Sequence, residues 1–324
     1  MGSIGDLDTE RSGGWGDLDR RSSLDLVRLM NQEDATVAAV VGRALPAIAA
    51  AVDATAERLR AGGRLVYVGA GSAGRLGLLD ASEWGPTFGA PEGQVVALIA
   101  GGSAAVTSAV EGAEDDEEAG AADVAGLGLV AADAVVGISA SGRTPYVLGA
   151  IRHAEAVGAL TIGIACNAGA ALSRAVAHPI EVQTGPEVVA GSTRLKAGTA
   201  QKLVLNMLST AAMVRLGKTY GDLMVDVRPT NDKLRDRARR IVAQAAGVDD
   251  ARAEAALTAA GGQVKVAVVM LRCQVPAERA AALVEAAGGN LRLALERCGS
   301  ISPPPGPGPA GPGSSRRPLP QTGR

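Results

Sequence analysis

Aromatic side chains are scarce in this chain of 324 residues, which holds two Trp, three Tyr and one Phe. That scarcity speaks against an aromatic-rich β-sandwich and leaves no stacking platform for single-stranded nucleic acid. An excess of either charge is also missing: 32 Lys and Arg stand against 34 Asp and Glu, a net charge of −2, so no basic footprint for nucleic acid exists. Two histidines and three cysteines (Cys166, Cys273 and Cys298) form neither a metal-ligand cluster nor an even disulfide set. A Ser-His-Asp triad finds no support, and His153 and His178 read as structural or exposed. There is no signal-peptide pattern at the N-terminus and no uninterrupted apolar run of roughly 18 residues. The expectation is a soluble, cytoplasmic protein with no membrane or nucleic-acid partner.

What the chain does have is 43 glycines and 47% hydrophobic residues, drawn mainly from Ala, Val, Leu and Ile. Residues 1–23 are polar and glycine-punctuated, and read as a flexible arm. A helix is expected to open near Ser22, where Ser22-Ser23-Leu24-Asp25 has capping-box spacing. A longer helical pattern covers 37–59, split or kinked at Pro46. Short β-branched runs at 64–69, 94–100, 133–138, 160–166 and 178–183 then alternate with helical stretches at 74–82, 104–118, 145–157, 170–176 and 192–216. The alternation predicts an α/β fold: a doubly wound, five-stranded parallel sheet with right-handed crossovers, forming a domain over 24–240. After it, two echoing segments, 255–265 and 281–292, each read as helix, Gly-Gly break and helix, a small helical module over 241–298. The remaining Pro- and Gly-rich stretch, 299–324, reads as disordered.

In an open parallel sheet ligands bind beyond the carboxyl ends of the strands. Two loops there combine glycines and hydroxyls at helix N-termini, where N–H groups attract phosphate. Gly69-Ala70-Gly71-Ser72-Ala73-Gly74 spells G-x-G-x-x-G, yet the second strand ends without the acid that a ribose would need. Ser139-Ala140-Ser141-Gly142-Arg143-Thr144-Pro145 clusters three hydroxyls around Gly142, which suits either a phosphomonoester or simple helix capping. The acidic run 111–118 reads first as a solvated helix end, although within it Glu114 continues a four-residue spacing from Val106 and Val110. A carboxylate on such a packed face would be desolvated, as acid–base chemistry at neutral pH requires. Glu83, read as lying at a helix C-terminus, is the second candidate carboxyl.

These stretches, together with Gly185-Pro186-Glu187-Val188-Val189-Ala190-Gly191-Ser192-Thr193-Arg194-Leu195-Lys196-Ala197-Gly198-Thr199-Ala200-Gln201-Lys202, resemble the N-acetylmuramic acid 6-phosphate etherases of the sugar isomerase (SIS) fold. The likeness runs from about Thr9 to Cys298. It implies cleavage of the lactyl ether by elimination and then water addition, without cofactor or metal, in a homodimer. By the same likeness Glu83 protonates the departing oxygen and Glu114 takes the C2 proton. Ser72, Ser139, Ser141, Gly142 and Thr144 bind the 6-phosphate sugar, with Ser192 and Lys202 framing the pocket. The chain departs from the family pattern at Ala73, at Trp84-Gly85 and after Thr9-Glu10, changes expected to weaken binding or loosen the loop carrying Glu83. A sugar-phosphate-binding regulator of the glucokinase regulatory protein type and an aldose–ketose isomerase are the alternatives, and free D-lactate discriminates them.

Overall fold

The structure, a computed structural model, describes residues 4–227 and 231–299. It divides into two units, Met1–Arg228 and Pro229–Arg324. The division falls before the boundary expected near 240, because a helix starting at Asp232 runs through that position and belongs with the helices after it.

In the first unit Ser22 caps α1 (Ser23–Asp34) by accepting the Asp25 N–H, as the capping-box spacing predicts. The next helical pattern breaks at Ala44 into α2 (Val37–Arg43) and α3 (Leu45–Arg60), with Pro46 in the first turn of α3, where its missing N–H is not needed. Then follow β1 (Leu65–Gly69), α4 (Gly71–Phe88), β2 (Val95–Ile99), α5 (Ala104–Thr107), α6 (Glu117–Gly126), β3 (Ala134–Ile138), α7 (Pro145–Ala156), β4 (Leu160–Ala165), α8 (Ala171–Arg174), β5 (His178–Glu181) and α9 (Lys196–Arg215). The five strands are parallel in the order β2-β1-β3-β4-β5. Successive side chains of a strand face opposite ways. Leu65 and Tyr67 therefore join one core layer with α3, α4 and α9, while Val66 and Val68 join another with α6 and α7. This burial on both faces is why the central strands read as apolar throughout. A short antiparallel pair, β6 (Thr219–Tyr220) and β7 (Leu223–Met224), was not anticipated.

Three expectations need correction. Residues 104–118 do not form one helix: α5 ends at Thr107, Gly112 adopts φ +73°, and a 3-10 turn over Ala113–Asp115 precedes α6. The α4 helix does not stop near Ser82 but continues through Pro86 to Phe88, because Trp84 and Phe88 are buried on its inner face. The N-terminal arm is tied down in its middle, where Leu7 and Thr9 are buried.

The second unit contains α10 (Asp232–Ala246), α11 (Asp250–Ala259), α12 (Val264–Cys273), α13 (Ala277–Ala286) and α14 (Leu291–Arg297). The two Gly-Gly breaks are a true structural echo. Gly262 N–H donates to Leu257 O at 2.9 Å, and Gly289 N–H donates to Val284 O at 2.9 Å. Cys273 and Cys298 form a disulfide joining the ends of α12 and α14, and the odd cysteine, Cys166, is free. The Pro- and Gly-rich stretch from 300 onward, and Thr230, lie outside the described residues. No single helix among the described residues is long and apolar enough to cross a membrane.

Candidate active site

The strand order reverses between β1 and β3, the place where an open α/β sheet leaves a crevice beyond its carboxyl ends. A cleft of about 360 Å³ opens there. Its walls come from the loops after β1 (Gly71, Ser72, Ala73) and β3 (Ser139, Ser141, Thr144), with Glu114, Asp115, Glu10 and Gln201 also lining it.

The β3 loop is pinned to the sheet by Ser139 N–H to Ile164 O at 3.0 Å and Cys166 N–H to Ala140 O at 2.9 Å. Its hydroxyls gather around one point: Ser139 Oγ lies 2.8 Å from Thr144 Oγ1 and 3.2 Å from Ser141 Oγ, and accepts from Gly142 N–H at 3.0 Å. Thr144 occupies the N-cap position of α7 yet makes no side-chain capping bond. Simple capping therefore does not explain its hydroxyl, which turns towards Ser139 instead. Ser72 stands in the first turn of α4, another helix N-terminus directed at the cleft. In the G-x-G-x-x-G stretch, Gly74 serves packing: a Cβ there would lie 2.6 Å from Ile99 Cγ1 and 2.9 Å from Gly69 O.

Glu114 reaches the cleft by a route other than the one inferred from spacing. Val106 and Val110 are exposed, and Glu114 is exposed within the 3-10 turn rather than buried on a helical face. Arg75 of α4 holds the preceding loop, donating to Val106 O at 2.9 Å and Ser108 O at 3.1 Å. Asp116 then caps α6 through Ala119 N–H at 2.8 Å. Glu114 is thus fixed between a clamp and a cap.

Glu83 is not brought to this cleft within one chain. It is exposed in the interior of α4, not at its C-terminus, and the helical rise puts it roughly 16 Å beyond Ser72. The helix carrying it is anchored by Asp80, which accepts from Tyr67 Oη at 2.7 Å, Trp84 Nε1 at 3.1 Å and Ser209 Oγ at 3.0 Å. The unusual Trp84 therefore fastens this segment rather than loosening it. Ser192 and Lys202 also stand outside the cleft wall; Lys202 Nζ donates to Asn206 Oδ1 on its own helix.

Glu187, inside the long string 185–202, carries no sequence signal of its own. It is fully buried and accepts from Lys196 N–H and Ala197 N–H, both at 2.9 Å, seating the start of α9 under the Gly191–Thr193 part of the cleft. Burial, only partly offset by those two N–H groups, pushes its carboxyl above the usual range. Cys166 is buried beside it, and burial together with the Glu187 charge pushes its thiol up to about 12, which makes it inert as a nucleophile. Glu10 and Gln201 were likewise not singled out as site residues: the first lies in a stretch without period, the second on a buried helix face. Among the described residues no group of three or more His, Cys, Asp or Glu is arranged to hold a metal ion.

The glucokinase regulatory protein N-terminal SIS domain family matches residues 47–155, and the SIS domain family matches residues 118–211. An N-acetylmuramic acid 6-phosphate etherase of Streptomyces coelicolor is 60% identical over 279 residues, covering 86% of this chain and 90% of the relative. The etherase of Rubrobacter xylanophilus is 59% identical over 293 residues, covering 90% of this chain and 97% of the relative. That of Streptomyces avermitilis is 59% identical, with coverage of 86% and 90%. Identity at this level across nearly the whole of each relative means that the chain belongs to the N-acetylmuramic acid 6-phosphate etherase family.

Proposed function

We propose that this protein cleaves the lactyl ether of N-acetylmuramic acid 6-phosphate, releasing N-acetylglucosamine 6-phosphate and D-lactate in the recycling of cell-wall sugars. The observation that carries the reading is the 59–60% identity to etherases over almost their full length. The cleft supplies matching chemistry. The hydroxyls of Ser72, Ser139, Ser141 and Thr144, the backbone of Gly142 and the N-termini of α4 and α7 receive the 6-phosphate. Glu114 then faces the sugar carbons.

An aldehyde at C1 of the opened sugar acidifies the C2 hydrogen. Glu114 removes that proton, the C2–C3 double bond forms, and the C3–O bond breaks as a carboxylic acid delivers a proton to the lactyl oxygen. Water adds its oxygen at C3 and a proton returns to C2. Two carboxyls held in opposite protonation states are the requirement. Glu83 supplies the acid, and its distance from Ser72 in one chain favours its arrival from a second copy. We therefore assign a homodimer in which each α4 lends Glu83 to the other cleft, with Ser192 and Lys202 framing the completed pocket. The cytoplasm is the proposed compartment.

The test is D-lactate release from the purified protein given N-acetylmuramic acid 6-phosphate, with Glu83→Ala and Glu114→Ala alongside. Release by the wild type and its loss in both variants supports the reading. A folded wild type that binds the sugar phosphate yet releases no lactate points instead to a regulator.

A further inference from the structure

Among the cleft-wall side chains with no part in the elimination above are Glu10 and Gln201. Gln201, in the second turn of α9, is 1% exposed, and its Nε2 has no acceptor among the described residues. A buried amide N–H left unpaired is costly, and such groups are rare. Gln201 itself lines the cleft, so a turn of its side chain lets the ligand bring the acceptor that Nε2 lacks.

Glu10 is delivered by the N-terminal segment. Thr9 is fully buried; its N–H donates to Asn167 Oδ1 at 3.4 Å, its hydroxyl accepts from Asn167 Nδ2 at 3.1 Å, and its carbonyl accepts from Gly191 N–H at 3.1 Å. The Glu10 carboxylate then folds over Gly191, where a Cβ would come within 2.7 Å of Glu10 Oε2. Gly191 also holds φ +73°, so a side chain there is doubly disfavoured. The segment thus places an acceptor in a cleft that already holds an unpaired amide donor.

An acceptor and a donor in one cleft complement a secondary amide, which offers an N–H and a C=O. We infer that Glu10 and Gln201 form a subsite for the 2-acetamido group of the sugar. Glu10 accepts from the acetamido N–H, a charge-assisted bond, and Gln201 Nε2 donates to the acetamido oxygen. The inference rests on the etherase reading, since it assigns the amide to that substrate. It also gives the subsite a consequence: the group it holds is attached to C2, so fixing it orients the C2 hydrogen towards Glu114.

The experiment measures binding of N-acetylglucosamine 6-phosphate and of glucose 6-phosphate, which lacks the amide, to the full chain by calorimetry. The wild type should favour the acetamido sugar by about tenfold or more, as one or two net hydrogen bonds allow. Gln201→Met and Glu10→Ala should each lose most of that preference while holding glucose 6-phosphate within about twofold. Should Gln201→Met melt below the assay temperature, Glu10→Ala, at a partly buried position, decides alone. A wild type without preference, or folded variants that keep it in full, overturns the subsite. Because these probes need no turnover, a wild type that shows the preference but releases no D-lactate sinks the etherase reading separately.

Discussion

Thr9 and Asn167 lie 158 residues apart in sequence and share two hydrogen bonds, Thr9 N–H to Oδ1 at 3.4 Å and Nδ2 to Thr9 Oγ1 at 3.1 Å. The same Nδ2 donates to Ala140 O at 2.9 Å, so one buried amide ties the N-terminal segment to the hydroxyl-bearing loop. Asn167 is a positioning residue for Glu10. Replacing it with Ala removes these bonds and leaves buried groups unpaired, a loss of about 1–3 kcal/mol. Expected kinetics are a rise in KM of several-fold with a smaller fall in kcat, because binding geometry rather than the proton-transferring groups is disturbed. Equal losses in both parameters from a variant with an unchanged melting temperature would contradict this role.

The separation of Glu83 from the cleft of its own chain makes a sharper prediction. Glu83→Ala and Glu114→Ala proteins, each inactive alone, should recover activity when unfolded together and refolded as a mixture. In a mixed dimer one cleft receives both intact carboxyls and the other neither, so random pairing restores about a quarter of wild-type activity. If both carboxyls acted from the same chain, no pairing would restore a site, and the mixture would stay inactive.

The sheet was legible because its strands are covered on both faces and so read as apolar runs bounded by glycines; each strand lies within a residue or two of its expected place. Helix extents were harder. Gly85-Pro86 looks like a stop, but burial of Trp84 and Phe88 carries α4 past it. The spacing of Val106, Val110 and Glu114 predicts a helix, but the helix ends at Thr107 and Gly112 turns the chain, so Glu114 reaches the cleft from a 3-10 turn and only the family likeness marks it. The Ser139–Thr144 cluster was visible because its chemistry is contiguous in sequence. Glu10 was hidden because its place depends on Asn167 and Gly191, contacts that no local pattern records. The Cys273–Cys298 bridge was hidden for the same reason: three cysteines allow several pairings, and only the ends of α12 and α14 meeting selects one.

Asp80 offers a test of what holds α4 in place. Its carboxylate serves three buried donors, from Tyr67 on β1, Trp84 on α4 and Ser209 on α9. In Asp80→Ala all three lose their acceptor at once, which should cost about 3 kcal/mol or more. Denaturant unfolding should show the midpoint falling with little change in slope. An unchanged midpoint would mean that the network adds nothing to the packing around it.

At the opposite end of the sheet, Asp133 allows a pH prediction that leaves the cleft untouched. Its carboxylate is 1% exposed; it pairs with Arg64 Nη2 at 2.7 Å and accepts the N–H groups of Arg64 at 2.7 Å and Val130 at 3.0 Å. Burial works against its ionisation, but the bond from the Arg64 side chain and the two N–H groups outweigh it and hold the carboxyl below its ordinary value of 3.8. A carboxyl lowered on folding contributes stability that is complete above its unfolded value and is lost as pH falls through the folded one. The wild type should therefore lose this contribution only below about pH 4. Asp133→Asn, which lacks the charge, should be less stable by about 2 kcal/mol at pH 7, a figure kept modest because the Arg64 side chain reaches solvent. Melting temperatures followed from neutral pH down to about pH 2 should show the gap between the two proteins narrowing only in the acid limb. Parallel curves across that range would show that the ionised form of Asp133 does not stabilise the fold.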